Sequence, residues 1–177
     1  MKIIAFADFH GNTCALRQAV QIASSENPSK VVICGDLFGG WSDDANEIDE
    51  ILRLFDATLY LVRGNNDRGY DTALLSQPME DYAVFYAFGR TMFFTHGDRY
   101  NAYNPPPILR QGDVLVHGHT HVGFLRNVNG LTVANVGSMS LPRDGVKSYV
   151  VLDENGACLK DTSGNVLQTT EYCSKDA

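Results

Sequence analysis

The chain opens with an unbroken apolar run over residues 3–7, Ile-Ile-Ala-Phe-Ala, which predicts a strand buried on both faces. The period then changes. Over residues 13–25 the apolar positions Leu16, Ala19, Val20 and Ala23 recur at helical spacing. Asn12 stands where an N-cap is needed, and Asn27-Pro28 stops the helix. A second apolar run at 31–34 predicts a second strand. Residues 43–55 bring a second helix with Ile48, Ile51, Leu52 and Phe55 on one face, and 58–62 a third strand. Strands and helices that alternate through short connections imply a parallel sheet with right-handed crossovers.

Beyond residue 80 the pattern becomes one of hairpins. Strands over 82–88 and 91–95 flank Gly89-Arg90, and 114–116 is a further strand. Strands over 123–128 and 131–134 meet at Asn129-Gly130, and those over 148–152 and 157–161 meet at Asn155-Gly156. The stretch 159–170 offers a last edge strand, and 172–177 reads as a loose tail. Pro105-Pro106-Pro107 marks a rigid turn. A parallel half followed by an antiparallel half suits an α/β fold of two packed sheets with helices outside, in one domain over residues 1–177.

Composition adds limits. At 177 residues, with 44% hydrophobic and 20% charged positions, the chain has the make-up of an ordinary soluble domain. No apolar run approaches the ~20 residues that span a bilayer, so no membrane partner is expected. The chain passes directly from Met1 into its first strand, too short for a signal peptide, and a cytoplasmic location is expected. Cys14, Cys34, Cys158 and Cys173 form no C-x-x-C pair and read as free thiols. A formal charge of −7 argues against stable nucleic-acid binding. A small anion could still bind where cations concentrate positive charge in one cleft.

The chemistry lies at the ends of the strands. Asp8 and His10, Asp36, Asn65, His96, and the pair His119 and His121 each fall in a short glycine-containing signature. These are Asp8-Phe9-His10-Gly11, Gly35-Asp36, Gly64-Asn65, His96-Gly97 and Gly118-His119-Thr120-His121. Ligands of α/β sheets collect outside the carboxyl ends of the strands, so scattered positions can converge there. Hard oxygens mixed with imidazoles suit first-row divalent metals. Seven side chains exceed the needs of one ion and fit two ions that share a carboxylate. Any one of these residues alone reads as a turn former.

In this order and with these glycines, the set resembles the calcineurin-like metallophosphoesterase superfamily over residues 1–153. Arg63-Gly64-Asn65, the Gly-His-Thr-His run and Asn135-Val136-Gly137-Ser138 are most similar to the small YfcE-type phosphodiesterases. The resemblance implies a four-layer αββα sandwich with two packed mixed sheets flanked by helices. It implies that Asp8, His10 and His121 hold one ion, that Asn65, His96 and His119 hold the other, and that Asp36 bridges both. Two divalent ions are implied, manganese foremost, with zinc, iron, nickel and cobalt compatible. The implied reaction is hydrolysis of a small phosphodiester by in-line attack of a metal-bridging hydroxide.

One position departs from the superfamily pattern. Many members carry a histidine after the metal-binding asparagine, where it assists the leaving group; this chain has Asn66. An amide is not a general acid near neutral pH, and such a loss typically costs about 10²–10⁴-fold for poor leaving groups. His117 is the remaining histidine, readable as a supporting core residue, as a replacement proton donor or as a further ligand. Arg63 could bind a substrate phosphate or pair with Asp67. Phe38 and Trp41 read equally as a substrate-facing lip or as loop packing, Gly137 and Ser138 as backbone support. Competing functions are a phosphomonoesterase, a nucleotide or dinucleotide hydrolase, and a non-catalytic protein-binding scaffold of the same fold. The intact ligand set argues against the scaffold. A homo-oligomer is compatible with the sequence.

Overall fold

The computed structural model describes residues 1–40 and 43–175. Its larger sheet is built around β1 (Ile3–Phe6), β2 (Lys30–Cys34) and β3 (Thr58–Val62), which run parallel. The two-residue strand β4 (Met79–Glu80) extends it in parallel on one side. On the other side β10 (Ser148–Asp153), β11 (Gly156–Asp161) and β12 (Val166–Thr170) add on antiparallel. The smaller sheet has the order β5 (Ala83–Ala87), β6 (Arg90–Phe94), β7 (Val114–His117), β9 (Leu131–Val136), β8 (Gly123–Val128). Its central strands β6, β7 and β9 are parallel, and the hairpin partners β5 and β8 close its edges.

Local chemistry sets the helix ends. Asn12 Oδ1 accepts the Ala15 N–H at 3.0 Å and starts α1 (Thr13–Glu26). Asn27 ends it in the left-handed conformation, with its N–H returned to Ala23 O. The second helix, α2 (Ala45–Leu52), is shorter than the expected 43–55. Asp44 caps it by accepting from the Asn46 and Glu47 amides, which excludes residues 43 and 44 from the first turn. A four-residue turn of helix, α3 (Gly69–Thr72), had no periodic signal.

Period-2 alternation in β1 and β2 splits the core in two. Ile4, Phe6, Val31 and Ile33 face α1 and α2, meeting Leu16, Ile48 and Ile51. Ile3, Ala5, Val32 and Cys34 face the second sheet, meeting Phe94, Val116 and Val136. A third cluster covers the outer face of the smaller sheet. There Tyr100, Ala102 and Leu109 pack on Phe93, Leu115 and Val133. The outer layer on this side is therefore the irregular segment 97–113, while α1 and α2 both lie against the larger sheet.

Residues 172–175, expected as a loose tail, are docked. The Tyr172 ring lies against Phe88 and the Arg90 guanidinium, and its hydroxyl donates to Asp153 O at 2.8 Å. The Cys173 N–H donates to Thr132 Oγ1 at 2.9 Å, and Lys175 Nζ lies 3.8 Å from Asp113. The aromatic ring at 172 supplies the apolar area that anchors the segment. No helix among the described residues is long and apolar enough to cross a membrane.

Candidate metal centre

Asp8, Asp36 and Asn65 follow β1, β2 and β3, and His96 and His119 follow β6 and β7, so both sheets deliver them to one edge. The turns that do this are strained. Asp8 (φ 58°), His10 (48°), Asp36 (51°), His119 (71°) and His121 (60°) all lie in the left-handed region. Such a conformation costs on the order of 1–3 kcal/mol per non-glycine residue and persists where the surroundings over-determine it. The flanking glycines have a steric reason. A methyl at Gly64 would run into the Asp36 side chain and backbone, and one at Gly35 (φ 83°) into the His96 ring.

The side chains form two groups that share a carboxylate. His10 Nε2 and His121 Nε2 are 3.2 Å apart, and Asp8 Oδ1 lies 3.3 Å from His121 Nε2. In the second group His96 Nε2 is 3.1 Å from Asn65 Oδ1 and 3.1 Å from His119 Nδ1. Asp36 Oδ2 stands between them, 3.7 Å from His10 Nε2 and 3.4 Å from His96 Nε2. Asp8, Asp36 and His96 are themselves close enough to offer ligand atoms to one cation.

These residues fit divalent cations. Asp8 Oδ1 is buried without a hydrogen-bond partner, a position that favours a positive charge beside it. His96 Nδ1 is 3.0 Å from Cys34 O, and His121 Nδ1 is 2.8 Å from Leu141 O. Each Nδ1 therefore donates to a carbonyl, which leaves Nε2 as the ring atom that faces the other clustered side chains and would meet a cation once it gives up its proton. Burial works against charge on Asp36, yet hydrogen bonds from His96 and Asn66 hold its carboxyl at about 2. Burial likewise opposes protonation of His96, but the adjacent Asp36 carboxylate carries its pKa up to about 9.

Asn66 holds Asp36 from both sides, its backbone N–H donating to Oδ1 at 2.9 Å and its amide to Oδ2 at 2.7 Å. Arg63 does not pair with Asp67. Its guanidinium donates to Met79 O at 3.3 Å, and it lines a cavity of about 670 Å³ with Asn65, Tyr82, Arg99 and Tyr100. Asp67 is instead buried and accepts from the amides of Asp36, Phe38 and Gly64 at 2.9, 2.9 and 2.7 Å. It ties together the loops that carry Asp36 and Asn65. Phe38 is fully buried in the core, so it packs the loop; Trp41 lies outside the described residues.

His117 is buried at the end of β7. Its Nδ1 lies 3.1 Å from Gly118 O, its Nε2 has no partner, and burial drives its pKa down to about 4. Asn135 spends its amide protons on Gly118 O and Thr120 Oγ1, at 2.9 and 2.8 Å, and so fixes the loop that carries His119. The hydroxyls of Ser138 and Ser140 both donate to Asp8 O, at 2.8 and 2.9 Å. Ser140 carried no sequence signal, because its partner is a backbone group remote along the chain, and Asp67 was read only as a partner for Arg63, because two of its three amide partners lie about thirty residues upstream.

The chain resembles known phosphoesterases in sequence and in fold. The model of the calcineurin-like phosphoesterase superfamily domain matches residues 1–157. The phosphodiesterase YfcE of Escherichia coli is 29% identical over 164 residues, 88% of this chain and 89% of that one. A phosphodiesterase of Methanocaldococcus jannaschii is 26% identical over 161 residues, 86% of this chain and 93% of the other. The solved structure of YfcE, described as a phosphoesterase, superposes with a TM-score of 0.84 at 26% identity, covering 97% of this chain and 99% of its own. With the family model spanning residues 1–157, most of its length, the chain belongs to the calcineurin-like phosphoesterase superfamily.

Proposed function

We propose that this phosphoric ester hydrolase is a binuclear metal-dependent phosphodiesterase acting on small diesters. The observation that carries the reading is Asp36 Oδ2 lying within 3.4–3.7 Å of a histidine from each group. Asp8, His10 and His121 would hold one ion, Asn65, His96 and His119 the other, and Asp36 both. When bound, two divalent ions supply water activation and charge neutralisation at phosphorus for in-line displacement, and the mixed oxygen–imidazole set favours manganese. The two relatives named phosphodiesterases support a diester over a monoester.

The chain's own residues position and orient. Cys34 O and Leu141 O fix the His96 and His121 tautomers, and Asn66 fixes the Asp36 carboxylate. Arg63, in the cavity wall beside Asn65, would orient the substrate phosphate as a charged donor. Neither candidate proton donor is suited to that task. Asn66 is an amide engaged with Asp36, and the Nδ1 proton of His117 is directed to Gly118 O. The leaving group then departs without protonation by either residue, so acidic alcohols and phenols are the favoured leaving groups.

The test is stepwise reconstitution of metal-stripped protein with manganese, assayed on bis(p-nitrophenyl) phosphate and on p-nitrophenyl phosphate. Diester hydrolysis should rise with the second equivalent of metal and exceed monoester hydrolysis. Full activity at one equivalent would remove the binuclear reading, and faster monoester turnover the diesterase reading.

A further inference from the structure

The segment 138–143 links the two loops that carry Asp8 and His121, and one hydroxyl organises the link. Ser138 is fully buried, and its Oγ donates to Asp8 O at 2.8 Å. The same oxygen accepts the Ser140 N–H at 3.2 Å and the Leu141 N–H at 2.9 Å. One donor and two lone pairs are all a hydroxyl has, so Ser138 is fully committed to this junction. A serine that takes the amides two and three residues onward folds the next turn around its own side chain. The Leu141 carbonyl at the end of that turn accepts from His121 Nδ1 at 2.8 Å. On the other side of the same ring, His121 Nε2 lies 3.3 Å from Asp8 Oδ1. The contacts close a circuit from Asp8 O through Ser138, Leu141 and His121 back to the Asp8 carboxylate.

Little else fixes these two side chains. Asp8 Oδ2 accepts the His119 N–H at 2.9 Å, which leaves the partnerless Oδ1 as the oxygen turned to His121. Packing does not place the Leu141 carbonyl, because the Leu141 side chain is 55% exposed. Pro142 follows it, and a residue before proline is confined to extended backbone. The direction of the Leu141 carbonyl therefore follows from where its N–H is anchored, and the anchor is Ser138 Oγ. The Arg143 N–H donates to His121 O at 2.9 Å and holds the segment to the His121 loop, but it does not restrain the ring. Ser140 shares only the first part of the task, its hydroxyl donating to Asp8 O at 2.9 Å. The other group needs no such device. His96 Nδ1 meets Cys34 O, whose direction is set by β2.

We propose that Ser138 is a positioning residue for one half of the metal centre, its hydroxyl locking the Asp8 carboxylate and the His121 imidazole into a single unit. Removing that hydroxyl misaligns Asp8 and His121 together and leaves His96 and Asn65 in place. The segment itself stays docked, because Met139 is buried in the core on the helix side and its N–H donates to Ala7 O at 3.1 Å. That only one of two ions is affected rests on the binuclear reading; the alignment of His121 by Ser138 does not.

Two measurements separate them. Carbon–proton NMR of the metal-free protein reads the alignment from the ring C–H signals of His121 and His96. In Ser138→Ala the His121 signals should shift and broaden while those of His96 stay where they are. Ser140→Ala, which leaves Leu141 anchored, should move neither. Movement of both rings in Ser138→Ala is general loosening and overturns the assignment, as does movement of neither. If Ser138→Ala does not fold, Ser138→Cys carries the same test, since a thiol is a weak donor and a weak acceptor. The second measurement is calorimetric titration with manganese. In Ser138→Ala one equivalent should bind about 10–100-fold more weakly, the usual effect of losing a group that orients a ligand, and the other with parental affinity. Equal weakening of both, or none, overturns the proposal. Selective movement of His121 in a protein whose parent binds a single ion would leave Ser138 in its role and sink the binuclear reading. Two ions in the parent, with both rings unmoved in Ser138→Ala, would do the reverse.

Discussion

Asn66 grips Asp36 through two hydrogen bonds, backbone N–H to Oδ1 at 2.9 Å and side-chain amide to Oδ2 at 2.7 Å. The residue that stands where many relatives have an acid thus holds the carboxylate nearest both histidine groups. A positioning amide does not protonate a leaving group, so the hydrolysis rate of aryl diesters should fall steeply as the leaving-group pKa rises, with alkyl diesters nearly inert. Asn66→Ala should weaken metal affinity about tenfold or more, as loss of a residue that orients a ligand typically does. Asn66→His should flatten the leaving-group dependence. A shallow dependence in the parent that steepens in His117→Ala would instead make His117 the acid.

The shared position of Asp36 predicts unequal effects of ligand removal. Asp36→Ala should lower bound metal at both groups, His10→Ala mainly at the Asp8–His121 group, and His96→Ala mainly at the Asn65–His119 group. Calorimetric stoichiometry on the three variants checks this, and an unchanged count in Asp36→Ala removes the bridge. Thermal unfolding supplies an independent reading. Free metal at 100 times its Kd adds about 2.7 kcal/mol per site. In a chain of 177 residues that corresponds to a Tm rise of about 5–10 °C. Chelator should abolish the rise, and Asp36→Ala should show little of it.

The clustered carboxylates, imidazoles and Asn65 amide stood out in the sequence because each combines a reactive side chain with a nearby glycine, and at Gly35 and Gly64 the geometry demands that glycine. Gly64 and Gly35 admit Asp36 and His96, and that steric need leaves a mark on the chain. The strands were legible because buried runs such as 31–34 tolerate little else. What could not be read rests on contacts across sequence. Two of the three amides that Asp67 binds lie some thirty residues upstream, and the local one, at Gly64, does not by itself mark it. The strand at Met79–Glu80 is too short for any period to show. The cover over Phe93 and Leu115 comes from an irregular segment, whose apolar residues Tyr100, Ala102 and Leu109 follow neither the helical nor the strand spacing. Tyr172 likewise finds Phe88 and Arg90 only once the second sheet is assembled.

Glu26, at the last turn of α1, joins three elements. Its carboxylate meets Lys2 Nζ at 2.9 Å, Lys160 Nζ at 2.5 Å and the Tyr149 hydroxyl at 3.2 Å. Partial burial works against ionisation, but the two ammonium groups outweigh it and hold the pKa below its ordinary value. A folded-state pKa below the unfolded one stabilises above the unfolded value and ceases to do so as pH falls through the folded one. Glu26→Gln should therefore lower the Tm by a few degrees at pH 7, consistent with about 1 kcal/mol for a largely solvated pair network. The difference between variant and parent should shrink steadily below about pH 4, where the parent carboxylate also protonates. A difference that stays constant from pH 7 to pH 3 would show that shape, not charge, holds this junction.

Asp67 makes the sharpest structural prediction. Its carboxylate accepts the amides of Asp36, Phe38 and Gly64, and it is 5% exposed. Asp67→Asn keeps the volume but replaces one acceptor oxygen with an N–H₂ group that must face a backbone N–H. At least one buried donor then loses its partner, at about 1–3 kcal/mol. That corresponds to a Tm lower by about 2–12 °C in a domain of this size. The second consequence is functional. The three amides belong to the loops that carry Asp36 and Asn65, so both should relax together. Metal affinity should drop even where the variant is fully folded, and kcat should fall at saturating metal with KM nearly unchanged. Asp67→Glu, which restores the charge with a longer arm, should recover stability less than halfway, because the three amide distances cannot all be met. A variant with parental metal affinity and kcat but a lowered Tm would confine Asp67 to folding and detach it from the site.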